Sequence, residues 1–151
     1  VVLWSINRLI YKNSAETEMA VTDTHRQDLS NLSYFVDGEN RSFKSGMNGF
    51  YKLEELTAYG DVDKDGDRDY VFVIKNTENP QKTIYFIGVA LYSETGLTTQ
   101  QTLSIGTDII PHSLLIGENG TVTLQYKKHS ADKNILYKEY SYTNNSLVEK
   151  I

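Results

Sequence analysis

Five aspartates fall on alternate positions, Asp61, Asp63, Asp65, Asp67 and Asp69, in the run "GDVDKDGDRDYVFVI". Carboxylates packed this densely repel one another unless a cation neutralises them, and hard divalent cations take oxygen ligands of this kind. Against Lys64 and Arg68, the five acids give nine residues a formal charge of −3, out of −5 for the 151-residue chain. A bound divalent ion would bring the segment to −1.

The spacing narrows the cation. Oxygen ligands on every second residue from Asp61, with Gly66 in sixth place, follow D-x-D-x-D-G, the opening of an EF-hand calcium loop, where glycine allows the sharp turn around the ion. In that scheme Asp61, Asp63 and Asp65 give side-chain oxygens, Asp67 its backbone carbonyl, and Asp69 stands at position nine. Position twelve is Phe72 instead of the usual glutamate, and an apolar run follows in place of a second helix, so this is not a true EF-hand. Two rival readings are a solvated acidic turn without an ion and a D-x-D-x-T/V phosphatase motif. Asp65 at its fifth position, and no apolar strand directly before Asp61, speak against the phosphatase.

"GDVDKDGDRDYVFV" resembles the calcium loops of FG-GAP repeats and dockerin-like modules, D-x-D-x-D-G-x-x-D, followed in FG-GAP repeats by an apolar strand. The stretch from "NLSYFVDG" to "TVTLQY" is similar to small bacterial extracytoplasmic or lipoprotein-type domains of uncharacterised function that carry one such loop. The resemblance implies that Asp69 closes a calcium cage. It extends to the loop alone, because the phenylalanine-glycine and glycine-alanine-proline signatures are missing and one motif cannot build a propeller of four-stranded blades.

Other chemistry is sparse. His25, His112 and His129 lack metal spacing, and no G-x-S-x-G, P-loop or G-x-G-x-x-G occurs. Glu54 and Glu55 are adjacent, so in a strand they point to opposite faces. Tyr137, Tyr140 and Tyr142 suggest either an aromatic platform or ordinary strand packing. The absence of cysteine excludes disulfides and thiolate chemistry. Net negative charge removes the electrostatic footprint of a nucleic-acid binder. N-x-S/T sequons at Asn31, Asn40, Asn119 and Asn144 matter only in a glycosylating host.

The elements that must position the aspartates read mainly as strands. "YVFVI" (70–74) and "IYFIGVALY" (84–92) are apolar without alternation, as in strands buried on both faces, and "KNTENPQKT" between them makes them antiparallel neighbours at a sheet centre. "TVTLQYK" (121–127) alternates like a half-exposed strand. Asp37-Gly38, "ENG" and "NNS" mark hairpin turns, and Gly46 and Gly49 punctuate another turn region. Residues 13 to 31 are polar, with N-cap chemistry for a short helix or a loop.

"VVLWSINRLI" at residues 1–10 is too short to span a bilayer, which takes about 20 residues. It fits a domain helix or the end of a membrane anchor, with Arg8, Tyr11 and Lys12 at the interface. The expected fold is therefore α+β and mostly β, an antiparallel meander sheet with an N-terminal helical element packed on one side. Residues 1–30 form a helical or linker segment, and 31–151 a β-rich calcium-loop domain.

Three functions follow as expectations. The first is a non-catalytic extracytoplasmic domain with a structural calcium ion. The second is a protein-binding module, such as an inhibitor or immunity-type partner of a secreted enzyme. The third is a hydrolase with calcium near its site. Calcium is the expected cofactor, with a further extracytoplasmic protein and a membrane tether as candidate partners and no nucleic acid.

Overall fold

The computed structural model describes residues 29–151, which carry twelve strands. The strands are β1 (Ser33–Val36), β2 (Glu39–Ser42), β3 (Met47–Asn48), β4 (Tyr51–Gly60), β5 (Asp69–Asn76) and β6 (Ile84–Ser93). There follow β7 (Gly96–Thr99), β8 (Leu103–Gly106), β9 (Ile110–Ile116), β10 (Val122–Lys127), β11 (Leu136–Thr143) and β12 (Ser146–Glu149). They form a six-stranded sheet in the order β3-β4-β5-β6-β7, with β8 also on β6, a four-stranded sheet in the order β12-β11-β10-β9, and the β1-β2 hairpin. Ladder pairings throughout are antiparallel.

β5 explains the layering. Its side chains are apolar on both parities, so neither face of the strand can be left to water. Val71 and Val73 meet the four-stranded sheet in a core with Val62, Ile87, Val89, Leu114, Val122 and Leu124. Tyr70, Phe72 and Ile74 lie on the opposite face with Leu29, Tyr34, Val36 and Phe43. Tyr34 sets its ring edge-on to Phe72 and Phe43, with centroids 4.7 and 4.9 Å away. Burying each such side chain contributes about 1.5–3 kcal/mol, so β5 is the most strongly held strand.

The expected meander is present, but it is split between two packed sheets. The expected helix does not appear among the described residues, and the layer on the second face of the large sheet is the β1-β2 hairpin. The apolar segment at residues 1–10, and nearly all of the polar segment at 13–31, lie outside the described residues. Leu29 is fully buried in the second core, which extends the folded unit before residue 31. Among the described residues no helix is long and apolar enough to cross a membrane.

Turn chemistry set several registers correctly. Asp37 and Gly38 have φ of 55° and 80°, and Asn144 and Asn145 have 51° and 63°. Positive φ at both central residues matches the right-handed twist of the strands they join. β4 is a strand that alternation did not disclose, because its pairing with β5 slips between Leu53 and Thr57. Glu54, inside that irregularity, pairs with Lys75 at 2.8 Å.

Two of the three tyrosines of β11 are packing residues. Tyr140 is fully buried and Tyr142 packs against the same core, while Tyr137 is exposed. Positions of opposite parity face opposite sides of a strand, so the three cannot form one platform. The Tyr140 hydroxyl is buried without a hydrogen-bond partner, whereas that of Tyr34 donates to the Leu29 carbonyl. Tyr140→Phe is therefore expected to hold or raise stability by up to about 1 kcal/mol, and Tyr34→Phe to lower it by about 1 kcal/mol. Urea unfolding of both variants checks this, and equal losses would contradict it.

Candidate metal centre

The aspartate segment is the loop between β4 and β5, closed at its base by the cross-strand pair Gly60 and Asp69. Val62 points inward and is buried in the core between the sheets, which anchors the loop. The carboxylates of Asp61, Asp63 and Asp65 converge around this anchor, each offering an oxygen within 4.8 Å of the others.

Local hydrogen bonds hold the gathering in shape. Asp61 accepts from the amides of Asp65 and Gly66, each at 3.1 Å. The Asp65 amide also reaches Asp63 at 3.3 Å, and the Asp67 amide donates to Asp65 at 2.8 Å. Gly66 has a φ of 97° with open space where a Cβ would sit, so the backbone turn alone requires glycine there. Burial, with the Asp65 and Asp61 charges adding to it, pushes the Asp63 carboxyl above its usual range.

Asp69 is placed differently. It is fully buried, and its two oxygens accept from the amides of Val62 at 2.9 Å and Tyr92 at 3.0 Å. The carboxylate thus ties the loop to β6, the neighbouring central strand. Burial raises its pKa, and the amide bonds from Tyr92 and Val62 act in the opposite direction. The group of three converging carboxylates does not include Asp67 or Asp69.

A second turn braces the loop from outside. Gly120, between β9 and β10, lies so close that a Cβ there would sit 2.8 Å from the Val62 carbonyl oxygen and 3.2 Å from that of Asp61. Its φ of 77° also favours glycine. Spacing alone did not show these supports. For Val62 the signal was its apolar side chain inside an acidic run, while Gly120 and Tyr92 carry no sequence mark of their role.

The donor set suits a hard cation. Calcium binds oxygen at about 2.3–2.6 Å, so two oxygens on one ion stand no more than about 5 Å apart. The observed grouping meets that limit, and it is the only one of its kind among the described residues. These three residues could hold a metal ion. Comparison with family models, curated proteins and solved structures finds no match.

Proposed function

We propose that this chain is a non-catalytic extracytoplasmic domain in which calcium, held by the 61–69 loop, fixes the turn from β4 into β5. The convergence of the Asp61, Asp63 and Asp65 carboxylates carries this reading. The supports around the loop favour a structural ion: Val62 anchors it in one core, Asp69 joins it to β6, and Gly120 packs against its carbonyls. By the EF-hand position scheme the Asp67 carbonyl, and through the resemblance to FG-GAP loops Asp69, complete the coordination. Millimolar calcium outside the cytoplasm suits a low-affinity loop of this type.

The protein-binding alternative has less behind it. On the four-stranded sheet, exposed Leu115, Tyr137 and Val148 lie opposite Thr123, Gln125 and Ser141 in the ladders, so polar residues interrupt them. A docking face would be expected to offer a continuous apolar patch.

Calorimetric titration tests the proposal. Magnesium demands near-octahedral geometry and keeps several waters, so a loop rich in protein oxygens should prefer calcium. Calcium is expected to bind at one site and magnesium at least tenfold more weakly. Equal affinities would reduce the aspartates to a diffuse negative surface, and no heat from calcium would remove the proposal.

A further inference from the structure

Beside the aspartate loop lies a cavity of about 150 Å³, lined by Lys64 from the loop, Asn119 and Thr121 from the β9-β10 turn, Ser141 and Tyr142 from β11, and Lys150 after β12. Lys64 is flanked by Asp63 and Asp65, yet it makes no ion pair with any described carboxylate. Its Cε instead lies 3.5 Å from the position of a Cβ on Gly120. Lys150 also lacks a carboxylate partner among the described residues, and its ammonium donates to the Thr121 hydroxyl at 2.8 Å.

Two lysines that form no ion pair with a described carboxylate therefore line one small cavity in a chain of net charge −5. Between them stand two aliphatic hydroxyls, a phenol and a carboxamide, all able to donate hydrogen bonds. We propose that this cavity is a binding site for a small oxyanion, a carboxylate or a tetrahedral phosphate- or sulfate-type group borne by an external ligand. The volume admits one such group, and the lysines supply the charge-assisted hydrogen bonds that recognise it. The site is separate from the three-aspartate group, although Lys64 places the two side by side. A cation in the loop would offset the repulsion that Asp61 and Asp63 exert on an anion in the cavity.

The test is an amide-resolved NMR titration with sodium acetate and, separately, sodium sulfate, at ionic strength held constant with chloride. Each series is run in calcium and in chelator. Saturable shifts of Gly120, Thr121 and Ser141 are expected in at least one buffer, with affinity reduced tenfold or more in the Lys64→Gln/Lys150→Gln variant. A preference for acetate identifies a carboxylate ligand, and a preference for sulfate a tetrahedral one. Absence of saturation in both buffers, or shifts unchanged in the double variant, would overturn the proposal. Calcium binding is read independently on the amides of residues 61–67 before any anion is added, so failure of the cation reading stays distinguishable.

Discussion

Asp69→Ala is expected to lower the stability of the protein in chelator by about 2–4 kcal/mol, because two backbone amides lose a charged acceptor. The Val62 amide is enclosed with its buried side chain, and the Tyr92 amide belongs to a central strand, so water replaces the carboxylate poorly. Against a total stability of about 5–15 kcal/mol, a loss of this size shifts melting by on the order of 10 °C. Asp67→Ala, at an exposed position, should stay within about 0.5 kcal/mol of the parent. Thermal unfolding of both variants in chelator decides the matter. Equal melting temperatures would mean that the buried carboxylate does not hold the loop to the sheet.

Calcium itself should produce the second large effect. An ion that binds only the folded loop stabilises by RT ln(1 + [L]/Kd), about 2.7 kcal/mol at a hundredfold excess over Kd. Melting should rise by on the order of 10 °C and fall back with chelator. Asp63→Ala is the sharpest probe of ligation, since the hydrogen bond its carboxylate accepts from the Asp65 amide is long, 3.3 Å. Asp63→Ala and Asp65→Ala are expected to abolish the calcium response. Asp67→Ala should retain most of it, because that carboxylate lies outside the converging group. A calcium response surviving in Asp63→Ala and Asp65→Ala would show that these carboxylates are not the ligands.

The two predictions separate jobs that the sequence presents as one. Five aspartates at equal spacing are equivalent on paper, and the loop analogy ranks them only by position number. Burial distinguishes them in the fold. Asp61, Asp63 and Asp65 sit on a turn that projects them outward together, while Asp69 is already within β5 and its carboxylate meets amides from two directions.

Local rules determined much of this protein from the sequence alone. The unbroken apolar stretches at 70–74 and 84–92 required a sheet covered on both faces, because no parity of those strands can be left to water. Asp37-Gly38 and Asn144-Asn145 fixed hairpins through their tolerance of positive φ, and D-x-D-x-D-G placed the candidate cation ligands. Tertiary structure alone decided what covers the sheet: among the described residues, a second sheet on one face and the β1-β2 hairpin with Leu29 on the other. The apolar demand of a sheet face is non-directional, so any element with an apolar surface can meet it. Only the fold, likewise, brought Tyr92, Gly120 and Lys150 to the aspartate loop from 23 to 81 residues further along the chain, since nothing in local spacing encodes which distant backbone will approach.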